Sequence, residues 1–213
     1  MHHREHRKAL KAAMRHLSRH DPKLAPLIAR IGEPTFMPHT DYYWELVDAI
    51  ISQQLSIKAA HTIEQRFLAL FGGNVPEPKQ LIKTSVADLR AVGMSNAKAA
   101  YVLDLAGRVN DGRLDIARLP HLPNQEIITE LTAVKGIGEW TAQMFLIFAL
   151  GRLDVLPVGD LGFKNGAQKL YGLTELPQAT ALQKIAATNH WHPYESVATW
   201  YIWQSLSEPT RQA

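Results

Sequence analysis

The chain has 213 residues, of which 46% are hydrophobic and 20% charged, so it can bury a sizeable core and is not disordered as a whole. It contains no cysteine, which excludes a disulfide scaffold, a thiol nucleophile and cysteine-ligated zinc or iron–sulfur centres. The formal net charge is +3, but residues 1–30 hold eight Lys or Arg and only two acidic side chains. The rest of the chain is therefore slightly acidic.

Two features of the sequence argue against a membrane partner. The longest apolar run, residues 144–150, is far shorter than the roughly 20 residues that span a bilayer. The first residues also lack the apolar core of a signal peptide. We therefore expect a cytoplasmic protein, associated with the nucleoid if the source is prokaryotic.

The first 20 residues predict a basic helix with two open interpretations. Leu10, Ala13, Met14 and Leu17 are spaced to face inward, which favours an amphipathic helix with a solvated charged face. Five of the ten histidines also lie in this stretch, and together with its Lys and Arg residues they would suit an arm that seeks phosphate.

The remaining apolar positions also recur at helical spacing and predict an all-α fold. Asp21-Pro22 predicts the start of a helix that ends near Gly32. Further helices are predicted over residues 42–53, 56–71, 85–91, 95–108, 124–134, 139–149, 160–171, 178–189 and 194–207.

The sequence contains no low-complexity linker, so domain boundaries must come from its polar, proline-bearing stretches. Two of these, residues 33–41 and 118–124, are where we expect the chain to pass between lobes. The predicted organisation is a central helical bundle over 42–118 and a second helical lobe made of 1–41 and 119–213. A cleft is expected between the two subdomains.

A glycine pair between two predicted helices is the most informative motif. In the segment Leu131–Ala142, Gly136 and Gly138 flank Ile137, which would fill the space between the helices. Glycines there let backbone N–H groups approach a phosphate closely, next to the positive end of the following helix, whose first turn holds Thr141. The alternative is a helix C-cap glycine followed by a tight turn, which needs no ligand.

A carboxylate follows this motif on a glycine-flanked turn. Asp160 lies 22 residues after Gly138, at the predicted start of a helix. It is either an N-cap, a common role of aspartate, or a functional group. The two roles are compatible, because N–H donors at a helix start favour the ionised carboxylate.

The segment LTAVKGIGEWTAQMFLIFALGRLDVLPVGD resembles the helix-hairpin-helix, Gly/Pro-rich loop and aspartate of the helix-hairpin-helix superfamily of base-excision DNA glycosylases. The segments AIISQQLS, HLSRHDPKLAPLIARIG and HPYESVATWYIW are similar to the branch of AlkA-type DNA-3-methyladenine glycosylase II. The resemblance implies a single glycosylase unit over 1–213. In that unit the helix-hairpin-helix (131–150) and the catalytic loop (151–162) belong to the N/C-terminal lobe, at the DNA-binding cleft.

The implied reaction is hydrolysis of the N-glycosidic bond of alkylated purines, such as 3-methyladenine and 7-methylguanine, flipped out of duplex DNA. Asp160 matches the catalytic aspartate of the family. A buried anion there would stabilise the oxocarbenium-like transition state and orient water. The alternative function is a non-catalytic helix-hairpin-helix protein that only binds DNA.

The residue two positions after the second hairpin glycine separates two mechanisms. Bifunctional relatives have a lysine there that forms a Schiff base, whereas this chain has Trp140, so the resemblance implies no lyase step. Trp140 and Trp203 match positions that line the base pocket of the family. Met144 stands where the AlkA-type pattern has a tyrosine, and Tyr43 either replaces that aromatic wall or staples the following helix.

The resemblance also assigns the contacts with DNA. Gln53 and Gln54 belong to the turn that probes the gap left by the flipped nucleotide, although Gln54 replaces a leucine wedge. Ser56 is a DNA contact or the N-cap of the next helix. Lys135 is expected to meet phosphate.

The same resemblance implies a cation site in the hairpin. Main-chain carbonyls of Thr132, Val134 and Ile137 would hold Na⁺ or K⁺ that bridges to a DNA phosphate. No cofactor is required and no iron–sulfur cluster is expected. The predicted protein is a monomer whose partner is duplex DNA with alkylated bases.

Overall fold

The structure is a computed structural model that describes residues 2–207, and within that range it contains helices and no β-strand, which confirms the all-α prediction. The α-helices are α1 His2–His20, α2 Leu24–Ile31, α3 Tyr42–Ser52, α4 Ile57–Ala69, α5 Pro78–Leu81, α6 Val86–Ala91, α7 Asn96–Asn110, α8 Asn124–Thr132, α9 Glu139–Met144, α10 Leu161–Tyr171, α11 Ala179–Thr188 and α12 Glu195–Ser207. A 3₁₀ turn spans Leu119–His121 and a π-helical turn spans Phe145–Ala149.

Most helices begin close to the predicted residue because polar side chains cap them. Asp41, Ser56, Ser85 and Ser95 each accept a hydrogen bond from the amide three residues further on. The four-residue helix α5 was not predicted, because a single turn shows no periodicity. The helix predicted over 139–149 is correct in position, but its second half is the π-helical turn.

The chain folds into two compact units. The middle unit is His39–Phe145, and the terminal unit consists of Met1–Pro38 and Leu146–Ala213. This division differs from the predicted one for residues 39–41 and 119–145, which belong to the middle unit and not to the N/C-terminal lobe. The physical reason is that the hairpin in this segment is bonded to α3 and α7, as described below.

The middle unit is built around α7. This helix packs against α3, α5 and α6, and α3 also packs against α4. Trp44 stacks on Phe67 at 6.2 Å between ring centroids, with an interplanar angle of 22°. The fully buried side chains of α3, α4 and α7 form the core: Leu46, Val47, Ile50, Ile51, Phe67, Ala99, Val102, Leu105 and Ala106.

The terminal unit is built around α12, which packs against α1, α2 and α10. On α1, Leu10, Ala13 and Leu17 are fully buried and Met14 is half-buried, so the prediction of an amphipathic helix is confirmed. Within residues 2–207 no helix is both long and apolar enough to cross a membrane.

A buried carboxylate joins distant segments of the terminal unit. Asp21 is fully buried, and its Oδ1 accepts hydrogen bonds from the amides of Lys23 (2.9 Å) and Leu24 (3.0 Å). Its Oδ2 accepts from the hydroxyl of Tyr171 (2.5 Å) and from Nε1 of Trp191 (2.8 Å). The sequence predicted only the capping role. The contacts with Tyr171 and Trp191 stabilise the junction of α2, α10 and the turn before α12, because a buried charge needs such partners.

One half-buried carboxylate of α3 makes the stability of the middle unit dependent on pH. Burial raises the pKa of Asp48 to about 6, and Glu64 and Glu45 add to the shift. The ordinary value is 3.8, so the folded state binds this proton more tightly than the unfolded chain. Ionised Asp48 therefore costs stability above pH 6, and the cost disappears as the pH falls towards 4.

We expect Asp48→Asn to raise the free energy of unfolding at pH 8 by on the order of 1 kcal/mol, because the substitution removes the buried charge. At pH 4 the gain should vanish. Urea unfolding of wild type and variant at the two pH values measures the difference. An equal gain at both would contradict the electrostatic cause.

Candidate functional site

The glycine pair forms the turn between α8 and α9 in the middle unit. Gly136 has φ +82°, and a Cβ built on it would lie 2.1 Å from the ring of Tyr101. Gly138 is the N-cap of α9 with φ −91°, and a Cβ there would meet open space. Gly136 is thus required by its backbone conformation and by its packing against Tyr101. Gly138 places no side chain over the first turn of α9. Ile137 is buried between the helices, as predicted.

The turn is anchored to α7 by a carboxylate. Asp104 Oδ2 accepts hydrogen bonds from the amide of Lys135 at 3.0 Å and from Nε of Arg108 at 2.9 Å. Burial alone would raise the pKa of Asp104, but the Lys135 amide and the Arg108 guanidinium hold it below its ordinary value. The Lys135 side chain is exposed, which is compatible with the predicted phosphate contact.

Gln53 ties the end of α3 to the same turn. Its Nε2 donates a hydrogen bond to the carbonyl of Gly136 at 2.9 Å. The carbonyl of Gln53 accepts from Nζ of Lys98 at 2.6 Å, and that ammonium also donates to the carbonyl of Ile51 at 2.8 Å. Burial lowers the pKa of Lys98. The sequence did not single out Lys98, because its acceptors are backbone carbonyls nearly 50 residues away.

The turn after α3 projects side chains into solvent. Gln54 is exposed and has φ +57°, a left-handed conformation that is uncommon outside glycine. Leu55 is 37% and Ile57 91% exposed. Ser56 Oγ accepts a hydrogen bond from the amide of Ala59 at 3.3 Å and is thus the N-cap of α4. Gln54, Leu55 and Ile57 are therefore the exposed side chains around this turn. Of the three, only Gln54 was singled out from the sequence.

The other predicted residues of the middle unit differ in exposure. Trp140, the second residue of α9, is 49% exposed, and Met144 at its end is half-buried. Thr141 is buried, and its predicted contact with DNA stays a prediction. The hydroxyl of half-buried Tyr43 is buried and finds no hydrogen-bond partner among residues 2–207. Burial, and then the charge of Asp41, raises the pKa of Tyr43.

The predicted cation site concerns carbonyls at the end of α8. The carbonyl of Val134 accepts a hydrogen bond from the amide of Ile137 at 3.2 Å, which uses one of its two lone pairs. Ion binding by Thr132, Val134 and Ile137 stays a prediction. In the part of the chain that the structure describes, no group of three or more His, Asp and Glu side chains could hold a metal ion.

In the terminal unit, Asp160 is both an N-cap and the partner of an aromatic side chain. Its Oδ1 accepts hydrogen bonds from the amide of Phe163 at 2.5 Å and from Nε1 of Trp203 at 2.7 Å. Both Asp160 and Trp203 are half-buried. A Cβ on Gly162 would lie 3.2 Å from Oδ1 of Asp160 and 3.4 Å from the Trp203 ring. The absence of a side chain at 162 thus lets the indole reach the carboxylate.

The loop that precedes Asp160 is held by the start of α12. Ser196 is fully buried, and its Oγ accepts a hydrogen bond from the amide of Val155 at 3.0 Å. The amide of Ser196 donates to the carbonyl of Leu153 at 2.9 Å. Two residues of α12 therefore act on this region. Ser196 fixes the loop, and Trp203 fixes the carboxylate of Asp160. Sequence reasoning missed Ser196, because a serine in a helix start is ordinarily assigned to capping.

Phe148 extends the aromatic surface beside the carboxylate. Its ring stacks on Trp203 at 5.9 Å with an interplanar angle of 24° and meets the edge of Phe36 at 5.9 Å. The aromatic side chains of Phe145, Trp200 and Tyr201 are buried. Phe148 is only half-buried, so it belongs to the same aromatic cluster as Trp203.

Comparisons with known proteins match this arrangement over most of the chain. Residues 47–189 match the family model of the HhH-GPD superfamily base excision DNA repair protein. The chain is 34% identical to alkylbase DNA glycosidase-like protein mag2 of Schizosaccharomyces pombe, over 91% of this chain and 92% of that protein.

Two solved structures share the fold. A DNA-3-methyladenine glycosidase from Bacillus halodurans is 40% identical, with a TM-score of 0.82 over 91% of this chain and 88% of that one. The 3-methyladenine DNA glycosylase Mag1 of Schizosaccharomyces pombe, solved with abasic DNA, is 32% identical, with a TM-score of 0.82 over 95% of this chain and 100% of that one. The family match covers the hairpin and the loop with Asp160, and the chain belongs to the HhH-GPD superfamily of base excision DNA repair proteins.

Proposed function

We propose that this protein is a monofunctional DNA glycosylase that hydrolyses the N-glycosidic bond of alkylated purines in duplex DNA, the first step of base excision repair. The observation that carries the proposal is the carboxylate of Asp160, held by the Phe163 amide and the Trp203 indole. Relatives named DNA-3-methyladenine glycosylase support the substrate class. We further propose that it acts as a monomer, in the cytoplasm, without a required cofactor.

Asp160 would supply the negative charge that the reaction needs. As the glycosidic bond breaks, the sugar gains oxocarbenium character, and a fixed carboxylate beside it stabilises that charge and orients the attacking water. The two N–H donors keep the carboxylate in place before substrate arrives. An alkylated purine is already cationic, so it leaves readily and the chemistry does not require a second carboxylate as general acid.

Aromatic side chains would receive the flipped base. An electron-deficient methylated ring is attracted to the faces of electron-rich aromatic rings. Trp203 and Phe148 provide such faces in the terminal unit, and we propose the half-exposed indole of Trp140, with Met144 and Tyr43, for the middle unit. The hairpin around Gly136 and Gly138, with Lys135 and a bound Na⁺ or K⁺, would hold a phosphate.

The residue at position 140 supports hydrolysis without strand cleavage. Trp140 has no amine that could form a Schiff base with the sugar, so the expected product is an intact strand with an abasic site. The carboxylate of Asp160 argues against a protein that only binds DNA, because a negative charge near the phosphate backbone is repulsive and serves no purpose in binding.

Release of free base from methylated duplex DNA by the purified protein tests the proposal. We expect 3-methyladenine and 7-methylguanine to be released, no nicking of the abasic strand, and no covalent adduct in the presence of borohydride. Nicking together with a trapped adduct would contradict the monofunctional mechanism. Salt-sensitive binding without any base release would favour the non-catalytic alternative.

The indole of Trp203 should act as a positioning group for Asp160. Trp203→Phe keeps an aromatic face but removes the N–H donor, so we expect the single-turnover rate of base release to fall about tenfold because one hydrogen bond to a charged group is lost. The binding constant for undamaged duplex should change little. Trp200→Phe, on the same helix, is the matched control and should retain the wild-type rate. A wild-type rate for Trp203→Phe would show that the hydrogen bond has no role in catalysis.

A further inference from the structure

The strongest feature outside the candidate site is the outer face of α1, which carries six basic side chains. We define the α1 basic stripe as Arg4, Arg7, Lys8, Lys11, Arg15 and Arg19, all of which are exposed. At 100° per residue these positions fall within an arc of about 120°. The fully buried side chains of the helix lie on the opposite side. The stripe is therefore one continuous cationic surface.

Few carboxylates neutralise this surface. Lys8 is 3.0 Å from Glu5 and Lys11 is 3.7 Å from Glu33. Among residues 2–207, no carboxylate forms a salt bridge with Arg4, Arg7 or Arg15. Surface arginines in such number repel one another, and an anionic partner would relieve that repulsion.

We propose that the α1 basic stripe is an additional DNA-binding surface that contacts the phosphate backbone of the duplex outside the hairpin. The stripe runs from Arg4 to Arg19, about 22 Å at 1.5 Å per residue. The phosphates of one strand rise about 3.4 Å each along the duplex axis and wind around it, so a straight helix of this length faces a few of them. Its positive charges, spaced one, three or four residues apart, form a row whose sign is complementary to that of the phosphates.

A membrane surface is a poorer fit to the same helix. A helix that lies on a bilayer inserts its apolar face among the lipids. In this protein Leu10, Ala13 and Leu17 of α1 are fully buried within the terminal unit and present no apolar face to a membrane. The partner that the family acts on is DNA. Because DNA is a polyanion, it can bind to the exposed cationic face of α1 without any apolar surface.

The stripe belongs to the same compact unit as the candidate catalytic carboxylate. Helix α1 packs against α12, and α12 carries Trp203, whose indole donates to Asp160. All of these elements belong to the terminal unit. A backbone contact made by α1 would therefore hold the same unit that presents Asp160 to the duplex, independently of the hairpin in the middle unit.

The test compares two triple variants of equal charge in binding to undamaged duplex DNA. The stripe variant is Arg7→Gln, Lys11→Gln, Arg15→Gln. The control is Lys83→Gln, Arg90→Gln, Lys184→Gln, which removes three exposed charges elsewhere, from the turn after α5 and from α6 and α11. The dissociation constant is measured from 50 to 300 mM KCl by fluorescence anisotropy. Circular dichroism checks that both variants fold.

For the stripe variant we expect about tenfold weaker binding at 100 mM salt and a salt dependence whose slope is smaller by about two to three. The control should keep the wild-type slope. Equal slopes in both variants would overturn the proposal. Loss of binding to phosphatidylglycerol vesicles without any change for DNA would overturn it in favour of a membrane surface. Binding to undamaged DNA requires no base release, so failure of the proposed glycosylase activity would be seen separately.

Discussion

Replacing Asp160 with asparagine is expected to abolish base release, with a single-turnover rate at least about 10³-fold below that of the wild type, while the protein remains folded and bound to DNA. Asparagine caps a helix as well as aspartate does. Its Oδ1 can accept the same two hydrogen bonds from Phe163 and Trp203. The substitution therefore removes the charge and keeps the geometry, so that the loss of rate measures the electrostatic contribution to the transition state.

Two measurements make the result specific. The affinity of Asp160→Asn for undamaged duplex should equal or exceed that of the wild type, because a negative charge near phosphates has been removed. Glu175→Gln, which neutralises an exposed carboxylate beyond the end of α10, should retain the wild-type rate. If Asp160→Asn released methylated bases at the wild-type rate, the carboxylate mechanism would be wrong.

Gly136→Ala is expected to lower the free energy of unfolding by about 3 kcal/mol and to weaken DNA binding. A Cβ at this position would lie 2.1 Å from the ring of Tyr101, so the turn or the ring must move. The φ of +82° adds strain for any residue with a side chain. Urea unfolding measures the change in stability, and fluorescence anisotropy with undamaged duplex measures the change in binding.

The second glycine of the hairpin is the matched control. Gly138→Ala places its Cβ in open space at φ −91°, so its stability should stay within about 0.5 kcal/mol of the wild type. A double variant of Gly136→Ala with Tyr101→Ala should lose less stability than the sum of the two single changes, because the clash needs both groups. Equal stability losses for the two alanine variants would contradict the steric argument.

The parts of the site that sequence reasoning located are those whose signal is local. The hairpin glycines, the N-cap position of Asp160 and the capping serines stand next to the helices that they serve, so their spacing alone predicts their places. Trp203 came from the resemblance. Its hydrogen bond to Asp160 spans 43 positions and could not be derived from spacing.

The residues that sequence reasoning missed act through contacts between distant segments. Lys98 caps α3 from the start of α7, and Ser196 holds the loop before Asp160 from the start of α12. A lysine or a serine at a helix start has many ordinary roles, and no sequence pattern indicates which distant residues these two side chains contact.

The boundary between the lobes was predicted from polar, proline-bearing stretches. Such a change in composition does not show which helices a segment is hydrogen-bonded to. Residues 118–124 do change composition, but the chain beyond them remains in the middle unit. Two hydrogen bonds hold the hairpin in this unit: the Lys135 amide donates to Asp104, and Gln53 donates to the Gly136 carbonyl. Hydrogen bonds between such distant segments cannot be derived from the sequence alone.

The two units differ in how their residues are distributed along the chain, and this sets an order of assembly during translation. The middle unit is a continuous segment, so all of its residues have been synthesised before the ribosome reaches α10. The terminal unit needs both α1 and α12, and its core cannot close until α12 has been synthesised. We therefore expect a nascent chain to be able to fold its hairpin before α12 exists, whereas Asp160 gains its indole partner only once α12 is available.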